Sequence, residues 1–452
     1  MRNSTDKTLY KEIFTLALPT MAEQFLGTAV QYIDTAMVGL LGTFATAAVG
    51  STSTFNWLFG SSISAFGVGF LAYISQALGA KDEKRARRAG GQAVFMVFAV
   101  GLFFTLVTLS ISRLVPAWMN VDESIRDLSS RYFFVIYAPS LFRTASIIFG
   151  TCLRAAGDTR TPMRVGFAVN GINIVSNFFL IYETRKVSLF GLSLLIPGAG
   201  MGVIGAALAT ALSFIAGGIM MAVAFFKSKA ISPKGVKLTP DAEILKPCLR
   251  VAFPNMFQRF CTSLGYVVFA SMINSLGELS TAAHTIANTV ESAFYIPGFG
   301  MQTAAATLTG NAVGAGDKER EKRLFKAICL IETSMMVVSG ALLFAFAPDM
   351  VSVFSKDPAV IALCSKVLRM VSLSEPFYGI AIVIEGMLFG AGETRIPFLF
   401  SVSTMWLIRI FGTFLCINVF GLGLISAWGC MIGNNLTNCA LFAMYKLVWK
   451  KE

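Results

Sequence analysis

Two carboxylates and three amides in this sequence stand where such groups are costly to place. Glu23 and Asp34 lie in PTMAEQFLGTAVQYIDTAMVGLLG (19–42), an apolar stretch long enough to cross a bilayer. A carboxylate at that depth costs about 2.5–3.5 kcal/mol on insertion scales, so each needs a polar partner or a wet cavity. The two acids are eleven residues apart, just over three helical turns, and so share one face. Asn170, Asn173 and Asn177 fall at i, i+3 and i+7 and form a second polar stripe. Such a set can hold a proton or a small cation. As plain interhelical glue each amide would contribute only about 0.6 kcal/mol. Pro19 precedes Asp34 on the same segment, where it frees a backbone carbonyl and makes a hinge candidate.

The second half carries a different polar set. Gln258 and Arg259 lie in one apolar segment, His284 and Glu291 in the next, two turns apart on one face, and Glu385 further on. With Tyr378 and Trp406, whose ring faces suit organic cations, these are the candidates for a substrate cleft. The bland alternative is that the aromatics face lipid or core and that His284 is a hydrogen-bonded packing residue. Glu332, Arg143 and Arg409 have no motif around them and are expected to form structural ion pairs. Glu23 and Arg259 follow the corresponding prolines Pro19 and Pro254 by four and five residues, so a salt bridge between them is a candidate inner gate. Each pairing within its own half is the alternative.

These residues need helices to hold them, and the composition supplies those in a membrane. With 55% hydrophobic and 14% charged residues among 452, and a mean hydropathy of +0.68, the chain is no water-soluble globule. Apolar segments of helical length recur at 13–40, 45–79, 89–111, 130–153, 162–183, 201–227, 249–275, 281–314, 325–347, 367–391, 397–420 and 422–446. The fold class is therefore all-α integral membrane, with twelve spans. The net charge of +12 comes from Lys and Arg in short loops on one side, such as KDEKRARR (81–88). That places both termini in the cytoplasm and argues against nucleic acid as a partner. The eight cysteines show no CxxC pairing and lie in or beside apolar runs, as small hydrophobes do. The N-terminus shows no cleavable signal pattern.

The sequence also repeats itself. A shift of 235 places Pro254 on Pro19, NAVGAGDKEREKR (311–323) on QALGAKDEKRARR (76–88), and LFGAGETRIP (388–397) on LRAAGDTRTP (153–162). Later the shift falls to 221, so the loop after the fifth span is longer in the first half. Six spans per unit make 1–227 and 249–452 two parallel bundles, related by a pseudo-two-fold along the membrane normal. The proline-rich stretch 228–248 joins them as a cytoplasmic linker. Phe269 stands at the position equivalent to Asp34, so the second bundle has no copy of the first-helix acid.

Pro19, IDTAMVG (33–39), LGAKD (78–82) and LRAAGDTRTP (153–162), with the loop motifs echoed in the second half, resemble multidrug and toxic compound extrusion (MATE) transporters over essentially the whole chain. The resemblance is nearest the DinF-like branch and implies a secondary antiporter. Small organic, cationic drugs would be exported against inward H⁺ or Na⁺ by alternating access between two lobes. It implies no cofactor beyond that ion, a monomer in the bilayer, and a multi-pass protein of the inner (plasma) membrane. It also implies a coupling site at Asp34 with Asn173, Asn177 and Thr210, and a bend at Pro19. The branch usually has Asp where this chain has Asn177. One acid among amides favours a proton over Na⁺, which wants several oxygen ligands and compensating charge. The alternative is a flippase for lipid-linked oligosaccharides or peptidoglycan precursors, whose pyrophosphate calls for a basic cavity. Five intramembrane acids against three arginines favour cationic cargo. With one histidine and no HExxH, G-x-S-x-G or P-loop, the sequence offers no catalytic constellation.

Overall fold

The computed structural model describes residues 2–119, 121–189, 192–236 and 238–448. They are almost wholly helical. The helices are α1 (Arg2–Gly39), α2 (Thr43–Gly79), α3 (Glu83–Ile111), the short α4 (Leu114–Trp118), α5 (Glu123–Tyr137), α6 (Ser140–Ala155), α7 (Arg160–Leu180) and α8 (Gly202–Lys227). The second half has α9 (Ala242–Asn274), α10 (Glu278–Gly314), α11 (Lys318–Phe354), α12 (Pro358–Ser372), α13 (Glu375–Ala391), α14 (Arg395–Thr404), α15 (Phe411–Phe414) and α16 (Leu424–Val448). The π-helical stretch Met405–Ile410 joins α14 to α15 and a second, Leu415–Val419, extends α15, making one span.

Six helices are long and apolar enough to cross a membrane, and eight spans result when the bent pairs α5–α6 (47°) and α12–α13 (53°) are each taken as one. The four other long helices, α7, α9, α10 and α16, complete the twelve. Their hydropathy is diluted by the polar residues singled out above: the Asn stripe on α7, Gln258 and Arg259 on α9, and His284 and Glu291 on α10. The extra loop of the first half is an antiparallel hairpin, β1 (Glu183–Leu189) with β2 (Leu192–Ala199), the one departure from an all-helical chain among the described residues.

The compact units do not coincide with the halves of the repeat. One contains residues 22–70 and 83–246; the other contains 247–452 together with 1–21 and 71–82. The change of unit at 246/247 falls inside the expected linker 228–248, where α9 begins at Ala242, and the difference is that 1–21 and 71–82 group with the second half. The reason lies in the ends of α1 and α2. On α1, Ile13, Leu16 and Ala17 are buried in one core with Met301, Ala304, Leu308, Ile328 and Val383. On α2, Ser75 and Gly79 meet their own repeat counterparts on α10. A Cβ on Gly79 would lie 2.1 Å from the Asn311 carbonyl oxygen, one on Gly314 only 1.9 Å from that of Gln76, and one on Gly310 2.0 Å from Ser75 Oγ. Small residues four apart on both helices permit this approach of the two backbones. Gln76 Nε2 then donates to the Gly390 carbonyl at 2.9 Å.

In the 22–70/83–246 unit, the linker is strapped to the start of α3. Arg88 pairs with Asp241 at 2.6 Å and Glu243 at 3.3 Å, Gln92 donates to the Thr239 carbonyl, and Arg87 donates to that of Lys229. The hydrogen bond that Arg88 donates to Asp241 first, and then the Asp241 charge, hold the Arg88 guanidinium above its ordinary pKa.

Candidate functional site

Asp34 and the Asn stripe meet. The side chain of Asp34 is half-buried on α1, while Asn173 and Asn177 are buried on α7 at 5% and 2% exposure. Asn177 Nδ2 donates to Asp34 Oδ1 at 2.7 Å. The amide of Asn173 can face the carboxylate either way. With Oδ1 towards Asn177 it accepts at 3.1 Å, and its Nδ2 reaches Thr210 Oγ1 at 3.4 Å. Turned over, its Nδ2 donates to Asp34 Oδ1 at 2.7 Å and Oδ2 at 3.0 Å. An ionised carboxylate only accepts, so it selects the turned amide; a protonated one carries a donor that suits the other orientation. Asn177 Oδ1 is buried without a hydrogen-bond partner. Thr210 Oγ1 also donates to the Ala206 carbonyl, and no side-chain hydrogen bond involves Asn170 among the described residues. Asp34, Asn173, Asn177 and Thr210 therefore form one cluster, and Asn170 stands outside it.

Glu23 lies one level away on the same pair of helices. A Cβ on Gly166 of α7 would touch Glu23 Cγ at 3.2 Å, and Gly166 precedes Asn177 by the same eleven residues that separate Glu23 from Asp34. So α1 and α7 run parallel and in register over three turns. The carboxylate of Glu23 accepts from Arg154 Nη2 at 2.6 and 2.7 Å, with the two side chains 22% and 17% exposed. Arg259 Nε donates to Asn255 at 2.8 Å on its own helix. Glu23 and Arg259 each thus have a partner within their own unit, the alternative weighed for them. Arg154 sits in the last turn of α6, where a cation also complements the helix C-terminus. Pro19 lies inside α1 as expected, and α1 passes from one compact unit to the other between Met21 and Ala22, two residues later.

The second-half candidates separate into three groups. Glu385 accepts from Gln258 at 2.5 Å and from Gln302 at 2.7 Å, joining α13 to α9 and α10. Its neighbour Gln302 was not singled out in the sequence; its position five residues after Pro297 in an apolar run was the available signal. His284 packs edge-on between Phe269 and Trp428, with ring centroids 5.7 Å from each, and its Nδ1 is buried without a partner. Tyr378 packs against Tyr295, Trp406 donates to the Cys261 carbonyl, and Glu291 is 5% exposed. Gln258 and Glu385 thus meet directly, His284 and Tyr378 pack against aromatic rings, and Glu291 is buried where the Arg409 charge acts on it.

The expected ion pairs of Arg143, Arg409 and Glu332 are absent among the described residues. Arg143 donates to Asn56 Oδ1 at 2.7 Å and lies 5.0 Å from the Phe214 ring centre. Arg409, on the first π-helical stretch, lies over Phe269 and Tyr266 at 4.3 and 4.6 Å. Aromatic faces lie against both cations, and the Glu291 carboxylate is a further electrostatic partner of Arg409. Glu332 is fully buried, neither of its oxygens is bonded, and Oε1 occupies space left by Gly298 and Gly379.

Comparison with known proteins places this arrangement. A family model described as MatE matches residues 19–179 and 254–415, one match in each half. The chain is 30% identical over 443 residues to the probable multidrug resistance protein NorM of Thermotoga maritima, covering 98% of this chain and 93% of the relative. Its fold is like that of an outward-facing multidrug resistance MATE family transporter of the MOP superfamily (TM-score 0.88, 21% identity, 98% and 97% covered). A MOP superfamily transporter from Pyrococcus furiosus, described as having a binding pocket of reverse polarity that suggests a different function, is also similar (TM-score 0.86, 22% identity, 97% and 95% covered). Twelve helices, a duplicated sequence and a family match in each copy make this chain a membrane transporter, not an enzyme, and a member of the MatE family.

Proposed function

We propose that the protein is a multidrug exporter that moves small organic cations outward against an inward flux of protons, with Asp34 as the coupling group. The observation that carries this reading is the Asp34 carboxylate held by the buried Asn177 amide at 2.7 Å, a single acid among amides. In the ionised state Asp34 holds two amide donors, each worth about 1.5–3 kcal/mol to a charged group. Protonation removes that demand, loosens α1 from α7, and changes the helix that carries Pro19. Cargo bound while Asp34 is ionised would then be released by alternating access. Relatives named for multidrug resistance support the substrate class. On this reading the protein is a plasma-membrane monomer with both termini in the cytoplasm.

Na⁺ coupling is the second reading, favoured by the unpartnered Asn177 Oδ1, an oxygen that a hard cation could take beside Asp34. Phosphate-bearing lipid cargo is less well supported, since the membrane arginines Arg143 and Arg409 are committed to Asn56 and to aromatic rings. The test is dye efflux from proteoliposomes under an imposed pH gradient without Na⁺, and separately under a Na⁺ gradient at equal pH. Proton coupling requires efflux in the first arm and its loss in Asp34→Asn. Efflux only in the second arm establishes Na⁺. An Asp34→Asn protein that still exports under the pH gradient sinks the role given to Asp34.

A further inference from the structure

An open groove of about 540 Å³ runs between α3, α6 and α8. Its walls are apolar: Val97 and Phe98 from α3, Phe142 and Phe149 from α6, Ile219 and Phe226 from α8. Its floor is set by close helix contact, since a Cβ on Gly218 would lie 2.5 Å from the Phe142 carbonyl oxygen. Phe98, Ile219 and Phe226 are exposed at 53%, 50% and 37%, so the groove opens outward rather than into the core. Only its end is charged. Lys227, the last residue of α8, and Lys234, in the linker, both line it, both are exposed, and neither joins an ion pair among the described residues. The volume lies in the range of small-molecule sites, yet nearly all of the lining is hydrocarbon.

A ligand that fits must be long, apolar and anionic at one end. We propose that this groove binds one anionic phospholipid, an acyl chain lying between α3, α6 and α8 and the phosphate held by Lys227 and Lys234. The chain contributes by removing methylene groups from the mobile lipid phase into a fixed apolar wall, and the head by charge, as in basic pockets between membrane helices. The repeat argues that the lysine has a use besides topology. Under the shift of 221, Lys227 corresponds to Val448, while under the shift of 235 Phe142 and Phe149 correspond to Phe377 and Ile384, so the second half keeps apolar residues at such positions but not the charge. Near the end of α16, by contrast, Lys446 is paired with Glu321 at 2.7 Å. This site is separate from Asp34, and its occupation does not depend on which ion drives transport.

The test uses the full-length purified protein in detergent, titrated with phosphatidylglycerol, phosphatidylcholine or glycerol 1-phosphate, with bound adducts counted by native mass spectrometry. One phosphatidylglycerol should bind ahead of phosphatidylcholine. The Lys227→Gln/Lys234→Gln double variant should weaken it about 30-fold, roughly fivefold per lysine. Ala222→Trp, which fills the groove and leaves both lysines, should also abolish that adduct. Equal retention of phosphatidylcholine, or an adduct unchanged in both variants, overturns the proposal by showing an ordinary lipid belt. Glycerol 1-phosphate binding as tightly as the lipid overturns it in favour of a phosphate site without a chain.

Discussion

Glu23 and Arg154 are the pair whose coupling can be worked out in advance. Two contacts of 2.6 and 2.7 Å, with the side chains 22% and 17% exposed, lie between two familiar cases. Exposed ion pairs contribute about 0.2–1 kcal/mol, and removing one partner of a fully buried pair costs about 3–5 kcal/mol. The geometry here sets the coupling at ~2 kcal/mol. A double-mutant cycle on Glu23→Gln and Arg154→Gln, read as unfolding free energy in mixed micelles, measures it directly. Each single variant should be destabilised, and the double variant should lose little more than the worse single. Over 452 residues a loss of 2 kcal/mol corresponds to only ~2 °C in Tm, so chemical unfolding is the better readout. The parallel cycle of Glu23→Gln with Arg259→Gln should give less than about 0.5 kcal/mol. A larger coupling there than with Arg154 would refute the assignment and restore the gate across the repeat.

Other consequences can be checked more simply. Gly314→Ala and Gly79→Ala each drive a methyl group into backbone within 2.1 Å and should destabilise by at least 1–3 kcal/mol, while Gly429→Ala, with nothing within 4 Å, should be neutral or stabilising; thermal unfolding of all three decides. Glu332→Leu replaces a buried, unbonded carboxyl with hydrocarbon and should raise stability by about 1–3 kcal/mol, and a loss on the same assay would reveal a partner for that carboxyl.

The sequence made the spans, the repeat and the Asn stripe legible through spacing along a helix, whereas the meeting of that stripe with Asp34 and Thr210 on other helices was implied only by the family resemblance. Asn173 and Asn177 four apart, and Glu23 and Asp34 eleven apart, have fixed angular relations wherever the helix goes. Partners supplied by another helix were not legible. Arg154 is 131 residues from Glu23 and sits in a basic loop motif that topology alone explained, so its pairing was hidden. Arg143 and Arg409 were expected to seek carboxylates, but aromatic faces and an amide already lay within reach, and the π-helical turn that carries Arg409 over Phe269 leaves no mark in hydropathy. The grouping of 1–21 and 71–82 with the second half was not legible because a duplicated sequence shows which segments match, not which ones pack. Glycines at 79 and 314 look like ordinary loop-end residues until their backbone neighbours are known.

The buried face near the start of α1 has a consequence for biosynthesis. Ile13, Leu16 and Ala17 find their permanent neighbours in residues between Met301 and Val383, which leave the ribosome about 15–75 s later at 5–20 residues per second. Until then the earliest-made helix has only lipid or a chaperone against that side. A nascent chain arrested before residue 300 should therefore expose a cysteine placed at Leu16 to lipid-soluble labels that the finished protein excludes.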